Sequence, residues 1–68
     1  MNEDNLNMEI RKFLKKVGIS SQRVIENKFY ESYENGLIKK GDEVELEMTL
    51  SIKSLKTLNS ISAKIKVE

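Results

Sequence analysis

Four cations stand within six residues of one another: Arg11, Lys12, Lys15 and Lys16. A fifth, Arg23, follows two helical turns later. On a helix the first four lie opposite a stripe formed by Leu6, Ile10, Phe13, Leu14 and Val17, at about 100° per residue. A basic face of that kind can contact RNA or an anionic surface. The same residues also make an ordinary solvated face that favours a helix C-terminus. Twelve basic residues are set against eleven acidic ones. That balance cancels the long-range field that capture of a polyanion needs.

A second constellation is Val17-Gly18-Ile19-Ser20-Ser21-Gln22-Arg23-Val24. It resembles the centre of a helix-turn-helix, in which a glycine, an aliphatic residue and a serine join two helices. The second helix would offer Ser21, Gln22 and Arg23 to base edges at its N-terminal end. Against this, the same helix carries Glu26, Glu31 and Glu34, which repel phosphates. A glycine cap followed by a serine cap is also the common chemistry of any helix corner. Nucleic-acid binding through residues 17–28 is therefore the alternative expectation, and the charge balance argues against it.

Aromatic side chains can stack bases, but Phe13 and Phe29 are expected in the core. Tyr30 and Met8 fall off the apolar stripes and are candidate contacts. Reaction chemistry has little to work with. There is no histidine and no cysteine, so the serines and lysines lack the usual activating base. The two aspartates, Asp4 and Asp42, sit where a cap and a turn are expected. No metal, cofactor or catalytic residue is assigned, and the chain is read as a non-enzyme.

The elements that position these residues follow from periodicity. Residues 3–17 predict a helix with Asn2 as its cap, Glu3 and Asp4 in the first turn, Lys15 and Lys16 in the last, and Gly18 just past the end. Residues 21–35 predict a second helix, capped by Ser20 or Ser21, on the stripe Ile25, Phe29 and Tyr33 and closed by Asn35-Gly36. Val44, Leu46, Met48, Leu50 and Ile52 then alternate with polar residues, as do Ile61, Ala63, Ile65 and Val67 on the opposite parity. That pattern predicts strands over 43–52 and 55–67, forming a hairpin with one apolar face. Glu43, Glu45 and Glu47 on one strand should oppose Lys64 and Lys66 on the other. A two-residue turn at Lys53-Ser54 places Leu55 on the inner face. Four- and six-residue loops remain open, because Lys-Ser lacks the residues a tight turn prefers.

The expected fold is therefore α+β, order α-α-β-β. Two helices would pack on one face of the hairpin in a single domain over 1–68. Ile10, Phe13, Leu14, Ile25, Phe29, Leu46, Met48, Ile61 and Ile65 would form the core. At 68 residues such a core is thin, and two strand edges are open. Self-association into a homodimer is expected to compensate. No apolar run is long enough to span a membrane, and the acidic opening is the opposite of a secretory leader. A cytoplasmic location follows.

The opening MNEDNLNMEIRKFLKKVGISSQR resembles a family of short bacterial proteins of unknown function. Its members begin MNED, carry an LN-x-EIRKFLKK-x-G helix and an SQR-x-IE segment, and end in alternating strands. The resemblance implies a free-standing cytoplasmic bacterial protein, with an Asp-Gly type of turn often found where this chain has Lys53-Ser54. It implies no activity and no catalytic residue. The function expected is a non-enzymatic interaction or adaptor protein with an unidentified protein partner. The candidate contacts are Met8, Arg11, Lys15, Gln22, Arg23 and Tyr30.

Overall fold

The computed structural model describes residues 1–68. It is α+β in the order α-β-β: helix α1 (Glu3–Glu34), strand β1 (Glu43–Ile52), a single 3₁₀ turn (Lys53–Leu55) and strand β2 (Thr57–Lys66). The chain divides into two units, Met1–Asn35 and Gly36–Glu68.

The first unit is one unbroken helix of 32 residues, where two were expected. The predicted end at Gly18 and start at Ser20 or Ser21 are not there. Gly18 is not in the left-handed region, unlike Gly36 and Gly41. A glycine inside a helix costs about 1 kcal/mol relative to alanine. Hydrogen bonds on either side offset that cost, and no proline forces a break. The outer ends behave as read. Asn2 Oδ1 accepts from the Asn5 N–H at 3.0 Å. Asn35 closes the helix, its N–H donating to the Glu31 carbonyl at 3.0 Å. Gly36 follows at φ 76°, the left-handed residue a C-terminus favours. Lys15 and Lys16 lie in mid-helix rather than in a last turn. The true last turn has no base and holds Glu31 and Glu34 near the negative end of the helix dipole.

One substitution reads this difference directly. Gly18→Ala is expected to stabilise α1 by about 1 kcal/mol, since an added Cβ meets nothing within 4 Å. At a left-handed cap the same change would destabilise. Thermal melting followed by far-UV ellipticity decides between them, and a lowered midpoint would restore the break.

The second unit is a two-stranded antiparallel sheet. Its register sets Val44 against Ile65, Leu46 against Ala63 and Met48 against Ile61 on one face. Glu43 stands against Lys66 and Glu45 against Lys64 on the other. Two of the three glutamates therefore oppose lysines as expected, whereas Glu47 stands against Ser62. Thr49 and Ser60 are also paired, their hydroxyls 3.3 Å apart. The connection is four residues, Lys53–Lys56, not the two of a Lys53-Ser54 turn. Ile52 pairs with Thr57, so β2 begins at Thr57 rather than Leu55. Leu55 lies in the 3₁₀ turn, and Lys56 takes the left-handed conformation at φ 51°.

A turn at Lys39–Asp42 leads into the hairpin. The Asp42 N–H donates to the Lys39 carbonyl at 3.0 Å. The Lys39 N–H donates back to Asp42 Oδ2 at 3.0 Å. Gly41, at φ 97°, supplies the positive φ that such a turn requires at its third position. Gly41 N–H to the Val67 carbonyl, 2.7 Å, and Val67 N–H to the Asp42 carbonyl, 2.8 Å, then continue the ladder to its root.

No residue of the chain is buried. The nine side chains expected to form a core are half-buried or exposed: Phe13 is 53% and Leu14 54% exposed, and Ile61 is 65% exposed. The physical reason lies within each unit. A single helix has nothing of its own to pack against. A two-stranded sheet has no second layer.

Candidate interaction surface

The long helix carries two distinct faces. Leu6, Ile10, Phe13, Leu14 and Val17 give the apolar strip of its N-terminal half, and Ile25, Phe29 and Tyr33 continue it. Val17, Ser21, Ile25, Phe29 and Ser32 form a half-buried line along it. Ile10, Phe13 and Leu14 are exposed.

The opposite face is built on a spacing of eleven residues, three turns of helix. Met8, Ile19 and Tyr30 recur at that interval, so they lie within about 40° of one another at 100° per residue. Lys12, Lys16 and Arg23 fall between them on the same line. All three apolar members are at least half exposed: Met8 50%, Ile19 54% and Tyr30 65%. A shallow groove of about 450 Å³ runs along this face, lined by Lys12, Lys15, Lys16, Ile19, Ser20 and Arg23.

Its charges are largely uncompensated. Lys12 pairs with Glu9 at 3.4 Å, an exposed contact of little energetic weight. The helix's other ion pair joins Lys28 to Glu31 at 3.7 Å. Lys15, Lys16 and Arg23 have no carboxylate within 4.0 Å. The face thus presents three apolar points among Lys12, Lys16 and Arg23, while Glu26 and Glu34 fall on the same side nearer its C-terminal end.

Of the candidate contacts, Met8, Arg23 and Tyr30 come together on this face and Lys15 flanks it. Arg11 and Gln22 sit about 60–80° away from its centre around the helix. Ile19 is the member that the sequence reading missed, because it was assigned to a corner between two helices. The eleven-residue recurrence from Met8 through Ile19 to Tyr30 is the signal that identifies it. The helix-turn-helix corner needs a turn between residues 17 and 21, and those residues are helical throughout. Ser21, Gln22 and Arg23 thus stand in mid-helix, without the free N-terminal end a recognition helix presents. No group of three or more acidic side chains lies close enough to hold a metal ion. No helix is long and apolar enough to cross a membrane.

A family model described as "Family of unknown function (DUF6494)" matches residues 1–68. The chain belongs to that family. No curated protein matches it, and no solved structure does. The DUF6494 assignment spans the helix, the linking turn and the hairpin together, so the uncovered apolar strip and the cationic face both lie within the family's own extent.

Proposed function

We propose that this chain is a small non-enzymatic protein-interaction module, an adaptor that also associates with itself in the bacterial cytoplasm. The observation that carries this reading is the absence of any buried residue in a chain that is 38% hydrophobic. Helices in proteins owe most of their stability to an apolar face packed on something else. A 68-residue chain without disulfide or metal needs such packing more than most. The surfaces left open here are of the kind that mark protein contacts. Catalysis has no comparable support, since no nucleophile stands beside a base and no cleft gathers acid and base groups.

Capture from native cell extract tests the reading. The full chain should retain a defined protein, itself or another, at stoichiometric yield. Phe13→Asp, which puts a charge in the middle of the apolar strip, should lose it. A chain that retains nothing while remaining monomeric would overturn the proposal.

The unpaired cations on the Met8–Ile19–Tyr30 face favour one further reading, weak contact with polyanions. We expect duplex DNA to bind without sequence preference and no tighter than roughly 10⁻⁶–10⁻⁴ M at physiological salt. The net charge is only +1, and Glu26, Glu31 and Glu34 share the helix. Fluorescence anisotropy on random and genomic duplexes measures this. Nanomolar binding to one sequence, lost in Arg23→Ala, would promote nucleic-acid recognition to the main function.

A further inference from the structure

We propose that residues 6–25 of α1 lie in the plane of an anionic lipid surface, with the apolar strip inward and the cations among the headgroups. This goes beyond the protein-interaction reading. The two share Phe13, so lipid and protein exclude each other there. All the residues concerned belong to the unit Met1–Asn35.

The apolar side is continuous over this stretch. At 100° per residue, Leu6, Ile10, Phe13, Leu14, Val17 and Val24 fall within an arc of about 100°. Over residues 5–25 no charged residue enters that arc, whereas Lys28 and Glu31 enter it farther on. Leu6, Ile10, Phe13, Leu14 and Val24 are all exposed in the single chain. Twenty residues make a segment about 30 Å long. It is not apolar enough to cross a bilayer. A helix with one apolar side and one cationic side instead lies along the surface, its apolar side about 5–10 Å deep.

The cations occupy the same stretch. From Glu9 to Glu26 the helix holds Arg11, Lys12, Lys15, Lys16 and Arg23 against those two glutamates, a net +3. The next acids outward, Asp4 and Glu31, stand about 20 Å along the axis from Val17 at the centre of this block. The Debye length at physiological salt is about 8 Å, so they do not cancel it. The even charge balance of the whole chain removes long-range steering and leaves this local attraction in place.

The position of the cations favours lipid. Arg11 and Lys16 lie about 110° to either side of the centre of the apolar arc. Headgroups surround an interfacial helix on both flanks at once. Basic side chains there reach them while their stems rest on apolar surface. One ligand thus satisfies the apolar side and the charged flanks together. Near an anionic surface each basic residue contributes about fivefold in binding, so a net of three gives about 100-fold.

Flotation of the full chain with phosphatidylcholine vesicles, with and without phosphatidylglycerol, tests the proposal. We expect the mixed vesicles to bind about 100-fold tighter, a preference that shrinks as salt is raised. Lys15→Glu together with Lys16→Glu turns the block from +3 to −1 and should abolish it. The chain has no tryptophan, so Phe13→Trp and Ile19→Trp each give a single reporter of depth. Ile19 lies opposite the arc, about 170° from its centre. On mixed vesicles, Phe13→Trp emission should shift to the blue and be quenched by brominated acyl chains. Ile19→Trp emission should do neither. Equal binding to both kinds of vesicle, or to neither, would overturn the proposal. Matching responses at the two tryptophans would overturn it as well, because a helix in the surface plane immerses one side only. That comparison does not depend on whether the charge-reversed chain folds.

Discussion

Replacing Ser21 with proline is expected to cost about 3 kcal/mol or more and to halve the helical signal. Proline lacks the N–H that an interior helical residue donates, and its ring clashes with the carbonyl four residues earlier, here that of Val17. The size of the effect depends on the helix being continuous. With Ser20 as a cap, position 21 would be the first residue of a second helix, where proline is well tolerated. The same substitution thus separates one 32-residue helix from two short ones by several kcal/mol. Ellipticity at 222 nm and the thermal midpoint report it. Ser21→Ala serves as the control and should stabilise slightly, by about 0.5 kcal/mol. A Ser21→Pro chain that melts like the parent would mean that the helix is already broken there.

The second large effect is expected at Phe13. In the single chain this ring is 53% exposed. Burial of a full phenylalanine is worth about 1.5–3 kcal/mol, so truncation of a half-exposed one should cost about 1 kcal/mol. A ring covered by another copy behaves as core, and Phe13→Ala then costs about 3–5 kcal/mol. We expect the larger value. We also expect a parent melting midpoint that rises with protein concentration, as mass action requires of a folded dimer. A loss near 1 kcal/mol with a concentration-independent midpoint would put Phe13 in water.

The hairpin was the most legible part of the chain because its signal is repeated. Strand alternation from Val44 to Ile52 and from Ile61 to Val67 states the same face many times over, and the glutamate–lysine apposition adds an independent check on register. The helix ends were legible for a similar reason. Asn2 before two acids, and Asn35-Gly36 after the last aromatic, each pair a cap with a change of pattern. Gly18 misled because its neighbours imitate an ending: lysines before it, an isoleucine after it and two serines beyond. Those residues have a local preference for a corner worth about 1 kcal/mol, and the helix on both sides outweighs it. The four-residue connection at Lys53–Lys56 was less legible still. It rests on Lys56 adopting a left-handed conformation that nothing in its side chain demands.

For the candidate surface, the cations were visible and their arrangement was not. Once residues 3–34 form one helix, Met8, Ile19 and Tyr30 align across what had been read as a boundary. Arg11 and Gln22 rotate away from that line. The apolar strip was legible in composition, but none of its residues is buried. Ile10, Phe13 and Leu14 do not meet a core within the chain, because neither unit offers a second layer.

The pairing pattern of this chain also sets its clock. Each helical bond spans four residues, and the hairpin closes over a four-residue connection and zips outward from it. Helices of this length form in about 0.1–1 μs and hairpins in about 1–10 μs, and folds built from such near neighbours along the chain are the fastest known. Nothing inside one molecule is therefore slow. Under the proposed self-association, the rate-limiting event would be encounter between molecules, and the half-time for reaching the native state should fall as protein is added. In the cell, the abundance of this chain would then govern how quickly it matures.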